Sequence, residues 1–255
     1  MVRFTACCII TAYNSAAHLS DFARWLDLSY DLFSQFIIVD DHSCDGSYEL
    51  IEELVGRVDV DSKINLLQLP ENSGRPALPR NYGLDRASAD WVMFLDIDDI
   101  VPIEYIAWVR SQEPKSVYTG TKLPLEDLSS FSLTQRCDTS DVARIPNWAF
   151  QFKNLVTLSG SFVPTEVVAH HRFRAEVLED WKFWRQIAEQ TDLSFMRLSA
   201  IPIPYYCKQT LSPVKSEQLK RVAKEIGWIR LPFYLLGVLY LKYFEKRLSL
   251  AYKHM

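Results

Sequence analysis

The sequence lacks the cysteine pattern of a disulfide-stabilised or zinc-binding protein. Its five cysteines are odd in number and form no C-x-x-C pair, so we expect them to be reduced. The chain also contains no internal repeat. With 48% hydrophobic and 24% charged residues, its composition excludes a disordered, collagen-like or low-complexity protein. These absences leave a globular protein with one large domain, or one domain with an appendage.

The sequence also shows no apolar pattern typical of a membrane-spanning segment or a secretory signal. The apolar run from Leu231 to Leu241 is interrupted by Pro232 and Gly237, and it is much shorter than the ~20 apolar residues of a spanning helix. The N-terminal sequence M-V-R leads directly into a strand-like segment, with no long apolar h-region and no small-residue cleavage site. We therefore expect a cytoplasmic protein.

Charge is unevenly distributed along the chain. The formal net charge is −4, but nine Lys or Arg against three Asp or Glu in 215–255 give that segment +6 and leave −10 on 1–214. The acidic body would repel phosphates, which argues against general nucleic-acid binding. We predict a domain over 1–214 and a basic, amphipathic helical segment over 215–255. The aromatic and basic residues of 228–247 are typical of an element that lies peripherally on the inner membrane, and a C-terminal helix packed on the domain is the alternative.

The first hundred residues alternate between apolar runs and helical patterns. Strands are predicted over 4–11, 36–39, 64–69 and 91–95, with helices from 19, over 47–55 and over 79–87. This alternation indicates an α/β fold with a mostly parallel sheet. Ligands of such sheets bind beyond the carboxyl ends of the strands, where Thr11, Asp41 and Asp96 fall. The segment 112–147 shows no clear periodicity. Strands are expected within 150–163, a helix near 177–188 and an extended piece over 201–206.

The sharpest local feature is the D-I-D-D sequence that begins at Asp96. Continued strand alternation would place Asp96 and Asp98 on one side, about 6 to 7 Å apart along the backbone. Two carboxylates repel at that distance, and a hard cation such as Mg²⁺ or Mn²⁺, held by carboxylates and substrate phosphates, removes the repulsion. The alternative is that these acids cap a helix that begins near Val101 and Pro102.

Several short motifs occur together in a fixed order. They are T-A-Y-N at 11–14, V-D-D-H-S-C-D-G-S at 39–47, N-x-G at 72–74, R-N-Y-G-L at 80–84, W-V-M-F-L-D-I-D-D at 91–99, L-S-G-S-F at 158–162 and V-L-E-D-W-K-F-W at 177–184. Over residues 4–212 this ordered set resembles the family 2 glycosyltransferases. The resemblance implies a GT-A-type, Rossmann-like sandwich, with a nucleotide-binding half in 1–99 and an acceptor-binding half in 100–214.

The resemblance also implies roles for residues around the nucleotide. Thr11 and Tyr13 would contact the nucleobase, with the Tyr13 ring stacked on it, and Asp41 would accept a hydrogen bond from a uracil-like imide. Arg80 would contact the base or a phosphate. Each residue has a plain structural alternative: a core position for Tyr13, an Asx-turn acceptor for Asp41 and a surface ion pair for Arg80.

The remaining implied roles concern the metal, the diphosphate and the acceptor. Asp96 would hold the ribose or the metal, and Asp98 would bind the metal at the diphosphate. Asp180 resembles the general base of the family, supported by Glu179, although both residues could instead cap the helix that they begin. Many members carry an R-x-H element after the last strands. This sequence has only Lys208 there, which would meet a phosphate without a histidine ligand.

The function implied is an inverting, metal-dependent glycosyltransferase that uses a nucleotide diphosphate sugar, with a UDP-sugar favoured. Its acceptor would be a hydroxyl of a glycan or lipid-linked glycan in bacterial cell-surface polysaccharide assembly. Three alternatives remain open from the residues alone. They are a phosphohydrolase with Asp96 as nucleophile and Asp98 as acid, a non-catalytic nucleotide-sugar-binding scaffold, and a nucleotidyltransferase of similar fold.

Overall fold

The computed structural model describes residues 4–125 and 128–206. The strands are β1 (Ala6–Ala12), β2 (Gln35–Asp40), β3 (Ile64–Gln68), β4 (Trp91–Asp96), β5 (Ser116–Leu125), β6 (Val142–Ile145), β7 (Phe162–Pro164) and β8 (Ser194–Tyr206). The helices are α1 (Leu19–Ser29), α2 (Ser47–Val58), α3 (Ala77–Leu84), α4 (Ile103–Val109), α5 (Thr165–Val168) and α6 (Glu179–Gln190). Short 3₁₀ turns include one at Asn147–Gln151.

The strands form an eight-stranded sheet in the order β3-β2-β1-β4-β7-β5-β8-β6. The first four strands in this order are parallel to one another. Strand β7 runs antiparallel to both β4 and β5, β8 is parallel to β5, and β6 is antiparallel to β8. The predicted α/β class with a mostly parallel sheet is confirmed, with β7 and β6 as its antiparallel strands.

The central strands are apolar throughout because both faces of the sheet are covered. In β1, Cys8 and Ile10 pack into one hydrophobic cluster, which includes Phe22 and Trp25 of α1. On the opposite face, Ile9 packs into a second cluster, which α3 and α6 cover. Strands buried on both faces show continuous rather than alternating hydrophobicity. This is why β1, β2 and β4 were the easiest strands to predict.

The parallel strands end at the same level, and this alignment places the polar residues together. Thr11 of β1 is in register with Val39 of β2 on one side and with Asp96 of β4 on the other. The backbone N–H of Asp41 donates to the Ala12 carbonyl at 2.8 Å, so the two chains remain paired just beyond the strands. The sequence-predicted convergence of three strand ends is confirmed.

Helix α3 approaches β1 unusually closely, and a glycine makes this approach sterically allowed. A Cβ atom at Gly83 would overlap the side chain of Ile9. Arg80 lies one turn earlier on the same helix and is buried. The G of the R-N-Y-G-L motif therefore fixes the distance between α3 and the sheet, and with it the position of Arg80.

Two parts of the second half differ from the expectation. The segment 112–147, which showed no clear periodicity, contains the ten-residue strand β5 and the short strand β6. Most of 150–163 is not strand, because only 162 and 163 of that range belong to β7. Strand β5 contains Gly120 and Pro124, residues that local propensity disfavours in a strand interior, and its long pairing with β8 overrides that preference.

Some predictions fall outside the residues that the structure describes. Lys208, the domain boundary at 214 and the basic segment 215–255, including 228–247, all lie there. Within the described ranges, no helix combines the length and apolar character that crossing a membrane requires.

Candidate active site

A cleft of about 410 Å³ opens beyond the carboxyl ends of β1, β2 and β4. Its lining includes six of the residues that the sequence predicted for the donor and metal: Thr11, Tyr13, Asp41, Arg80, Asp96 and Asp98. Asn72, Gly74, Arg75 and Pro76 of the loop between β3 and α3 form another part of its wall. The volume lies within the range usual for pockets that hold small ligands or cofactors.

A chain of polar contacts crosses the base of this cleft. The Thr11 hydroxyl donates to Asp96 Oδ1 at 2.9 Å, and the Arg80 guanidinium donates to the same oxygen at 2.9 Å. Arg80 also reaches Glu179 Oε1 at 3.4 Å and lies over the ring of Phe173, 5.4 Å from its centre. The Arg80 side chain is only 5% exposed, so it is a buried bridge rather than a surface ion pair. Arg80 thus connects the strand-end carboxylate to the helix that begins at Glu179.

The pKa values of two carboxyl groups at the end of β4 are shifted in opposite directions. Burial alone would raise the pKa of Asp96, but the Arg80 charge and the hydrogen bonds from Arg80 and Thr11 outweigh it and hold that pKa below its ordinary value. Burial raises the pKa of Asp99 well above its ordinary value, and the negative charges of Asp96 and Asp98 add to the effect. Asp96 is therefore held as a carboxylate, whereas Asp99 gives up its proton less readily than an ordinary aspartate.

The D-I-D-D segment is a turn rather than a continued strand, which corrects the expected alternation. Strand β4 ends at Asp96, and the Asp99 N–H donates to the Asp96 carbonyl at 2.9 Å. Asp98 nevertheless lines the same cleft as Asp96. Helix α4 begins at Ile103 without a side-chain cap on its first turn. The helix-capping alternative for these aspartates is therefore not supported.

Asp41 is buried and holds the loop that forms the neighbouring wall. Its carboxylate accepts hydrogen bonds from the Ser73 N–H and from the Ser73 hydroxyl, both at 2.8 Å. The Asn72 side-chain amide donates to the Asp41 carbonyl at 3.0 Å. Asp41 therefore organises the N-x-G motif across two loops, which the local Asx-turn alternative did not anticipate. The local turn is instead formed by Asp40, whose carboxylate accepts a hydrogen bond from the N–H of Ser43, three residues later.

Tyr13 lies at the rim of the cleft and is 50% exposed, which excludes the alternative of a core position. The residue after it, Asn14, has a positive φ of 47° and ties this loop to the loop after β2. The Asn14 N–H donates to the Ser43 hydroxyl, and the Cys44 N–H donates to Asn14 Oδ1, both at 2.9 Å. The backbone that carries Tyr13 is thereby held while its ring stays accessible.

Glu179 and Asp180 begin helix α6 directly after Leu178, which adopts a left-handed conformation with φ of 62°. The glutamate contacts Arg80, whereas the aspartate does not. Asp180 Oδ1 accepts the Trp181 N–H at 2.8 Å, and Asp180 Oδ2 accepts the Asn154 side-chain amide at 2.7 Å. The N-cap of α6 is Leu178 and the helix has no side-chain cap, so the capping alternative is not supported; Asp180 instead contacts a segment that no motif pointed to.

Sequence reasoning missed Ser159 and Asn154. The Ser159 hydroxyl accepts the Asp96 N–H at 3.1 Å, and it lies in the L-S-G-S-F motif, none of whose residues was assigned a role. The following glycine, Gly160, has φ of 74°, and a Cβ there would lie 2.9 Å from Ile203. Motif membership could have flagged Ser159. Asn154 lies in no motif, and only the fold brings it to Asp180.

Comparison with known proteins shows which family the first part of the chain resembles. Residues 7–108, which include β1 to β4 and the D-I-D-D turn, match the model of glycosyl transferase family 2. This segment, about two-fifths of the chain, is similar to the family 2 glycosyltransferases. The resemblance that the ordered motifs indicated is confirmed over this segment, and the individual roles of the site residues stay predictions.

Known glycosyltransferases match part of the chain. An uncharacterized glycosyltransferase of Haemophilus influenzae is 36% identical over 94 residues, which is 36% of this chain and 36% of the relative. The poly(ribitol-phosphate) beta-N-acetylglucosaminyltransferase TarS of Staphylococcus aureus is 29% identical over 103 residues, 40% of this chain and 17% of the relative. Each match thus spans less than two-fifths of the relative's length.

Solved structures show the same fold over a longer stretch. S. aureus TarS 1–349 in complex with UDP-GlcNAc superposes with a TM-score of 0.61 at 18% identity, covering 87% of this chain and 65% of that one. A mannosyltransferase of Pyrobaculum calidifontis, in complex with GDP-Man and Mn²⁺, superposes with a TM-score of 0.63 at 15% identity, covering 87% and 61%. The GT-A architecture is thereby confirmed.

Proposed function

We propose that this protein transfers a sugar from a nucleotide diphosphate sugar to a hydroxyl group of a glycan or lipid-linked glycan. The observation that carries the proposal is the meeting of six donor-site residues in one cleft, joined through Arg80 to the helix of Glu179 and Asp180. A donor in the cleft and an acceptor at that helix would meet at this bridge. A phosphohydrolase would use the D-I-D-D turn but would leave this connection unexplained.

The donor nucleotide is assigned to the wall formed by the loops after β1 and β2. The exposed Tyr13 ring offers a stacking surface for a base, and Thr11 and Asp41 line the same cleft. Asp41 is already held by Ser73 and Asn72, so it would meet the base in a fixed orientation. We favour a UDP-sugar. The structure of TarS with UDP-GlcNAc supports this choice. The main alternative donor is a GDP-sugar, because the mannosyltransferase structure contains GDP-Man.

The residues at the D-I-D-D turn fit a divalent cation. Both hydrogen bonds that hold the Asp96 carboxylate end on Oδ1, and neither engages Oδ2, while Asp98 lines the same cleft. Among the described residues no three His, Cys, Asp or Glu side chains form a metal site by themselves. Asp96 and Asp98 would therefore share the ion with substrate phosphates, as is usual for Mg²⁺ and Mn²⁺. When bound, such a cation stabilises the negative charge that develops on the departing diphosphate.

Asp180 is assigned as the general base. In the transfer step the acceptor oxygen forms a bond to the anomeric carbon, and its proton moves to a carboxylate oxygen of Asp180. The bond between that carbon and the diphosphate oxygen breaks, and its electron pair leaves with the nucleoside diphosphate. Attack from the face opposite the leaving group inverts the anomeric configuration. A base placed in this way contributes typically 10²- to 10⁴-fold to the rate.

The acceptor class is the least constrained part of the proposal. The name of TarS refers to a poly(ribitol-phosphate) acceptor, which supports a polymer of the bacterial cell surface. A glycan or lipid-linked glycan hydroxyl fits the proposed chemistry equally well, since the base needs only a hydroxyl within hydrogen-bond reach.

Release of nucleotide from a panel of UDP-, GDP-, CDP-, TDP- and ADP-sugars, measured with Mn²⁺ on the full chain, tests the assignment. We expect one nucleotide class to be released. Asp180→Asn should keep donor binding and lose turnover, and Asp98→Ala should lose metal-dependent turnover. Asp192→Asn, an exposed position beyond the other end of α6, is the matched control and should turn over normally. Full activity of Asp98→Ala would refute the metal assignment, and phosphate release from simple monoesters instead would favour the phosphohydrolase.

A further inference from the structure

Asn154 contacts the carboxylate that the proposed function assigns as the base. Its side-chain Nδ2 donates to Asp180 Oδ2 at 2.7 Å, which is a short contact for an N–H donor. The other carboxylate oxygen, Oδ1, accepts the Trp181 N–H at 2.8 Å. Each oxygen of Asp180 therefore has one fixed donor, and each keeps a second lone pair with which it can accept a proton.

The orientation of the Asn154 amide is set by a second hydrogen bond. Asn154 Oδ1 accepts the Val156 N–H at 3.1 Å, so it is Nδ2 that faces Asp180. The backbone just beyond is anchored in the fold, because Val156 is buried and the Thr157 N–H donates to the Thr119 hydroxyl of β5 at 3.0 Å. Asn154 thus lies in a loop that is anchored to β5 just beyond it, and its side chain reaches across to α6.

Further hydrogen bonds hold the segment that contains Asn154 against α6. The Trp181 indole N–H donates to the Phe150 carbonyl at 2.7 Å, and the Asn147 amide donates to the Ala188 carbonyl at 3.1 Å. The segment that leads to Asn154 is therefore joined to α6 at four points, since the Gln151 amide also donates to Glu189 Oε1 and Asn154 itself donates to Asp180. The segment and the helix keep a fixed alignment, with Asn154 at the end that faces the cleft.

We propose that Asn154 is a positioning residue that holds the Asp180 carboxylate in the orientation needed to accept the acceptor proton. The inference rests on the proposed function of Asp180. An aspartate in the first turn of a helix can rotate about its side-chain torsions, and the Trp181 N–H restrains only one oxygen. The Asn154 donor removes the remaining rotation. Small misplacements of catalytic groups cost about 10²-fold in rate. Loss of the Asn154 hydrogen bond should therefore lower turnover without weakening the binding of the nucleotide sugar.

The test measures nucleotide release from UDP-N-acetylglucosamine, with water as acceptor, or from whichever sugar nucleotide the wild-type chain cleaves fastest. Asn154→Asp keeps the oxygen that accepts from Val156 and replaces only the donor to Asp180. Asn154→Ala removes both groups. We expect both variants to lower kcat by about 10- to 100-fold and to leave the donor KM unchanged. Asn65→Ala is the matched control, because this exposed asparagine of β3 lies away from the segment and from α6, and its kcat should stay near wild type.

The double variant Asn154→Ala with Asp180→Asn separates positioning from a general structural role. If Asn154 acts through Asp180, the double variant should turn over no more slowly than Asp180→Asn alone. A further loss in the double variant, a wild-type kcat in Asn154→Asp, or a change confined to the donor KM would each overturn the inference. Unchanged turnover in Asp180→Asn itself would instead overturn the proposed base, so failure of the inference and failure of the proposed function are distinguishable.

Discussion

Replacement of Arg80 by methionine tests the bridge at the centre of the site. Methionine retains most of the apolar stem of arginine and removes the guanidinium that contacts Asp96 at 2.9 Å and Glu179 at 3.4 Å. Two carboxylates would then be left near one another without their cation. The Arg80 side chain is 5% exposed, so water cannot fully replace it, although the Asp96 side chain is 37% exposed and is partly solvated.

The expected cost follows from these exposures. Removal of one partner of a fully buried ion pair costs about 3–5 kcal/mol, and a single hydrogen bond to a charged group contributes about 1.5–3 kcal/mol. Because Asp96 retains contact with solvent, we expect a loss near the middle of these ranges, about 2–3 kcal/mol. For a domain of this size that loss lowers Tm by about 4–12 °C.

Thermal unfolding at pH 7 in EDTA, followed by circular dichroism, measures this loss without a contribution from bound metal. Arg185→Met is the matched control, since Arg185 forms only a partly exposed pair with Glu189 at 3.5 Å within α6 and should cost about 0.3–0.5 kcal/mol. Arg80→Lys should fall between the two, because one ammonium group cannot span both carboxylates as the guanidinium does. An Arg80→Met shift no larger than that of Arg185→Met would refute the bridge as a stabilising element.

Two further predictions concern packing and thiol chemistry. Gly83→Ala should lower Tm by several degrees, because the added methyl overpacks the contact between α3 and β1 and costs about 1–3 kcal/mol of stability. Gly56 has open space around it, so Gly56→Ala should leave Tm unchanged or raise it. Equal Tm shifts in the two variants would contradict this prediction. Burial raises the pKa of the Cys7 thiol to about 12 and that of Cys8 well above its ordinary value. Iodoacetamide at pH 8 should therefore label the exposed Cys44 and spare both β1 thiols until the protein unfolds, which peptide mass mapping would check.

The first half of the fold could be predicted because its signals are local. Strands β1, β2 and β4 are mostly apolar runs, and each has a polar residue that lines the cleft at or just beyond its carboxyl end. The parallel register then brings Thr11 beside Asp96 without further information. The donor half of the site follows from these two facts.

The parts that were missed depend on contacts between distant segments. Strand β5 carries Gly120 because a Cβ there would lie 2.8 Å from the Ile201 carbonyl of β8, a constraint invisible in the local sequence. Asn154 reaches Asp180 only because the segment before it is hydrogen-bonded along α6. The side chains of 96–98 do not alternate as on a strand, because β4 ends at Asp96 and a turn follows. The local sequence pattern does not determine where this strand ends.

The most direct test of the central claim, that the cleft binds a nucleoside diphosphate with a divalent cation, is thermal unfolding of the full chain. UDP, GDP, CDP, TDP and ADP would each be added with and without Mn²⁺. A ligand at 100 times its Kd stabilises the folded state by about 2.7 kcal/mol, which raises Tm by several degrees. We expect a Mn²⁺-dependent rise with one nucleotide, UDP above the others, and loss of that rise in Asp98→Ala. Absence of a shift with all five nucleotides would contradict the assignment of the cleft.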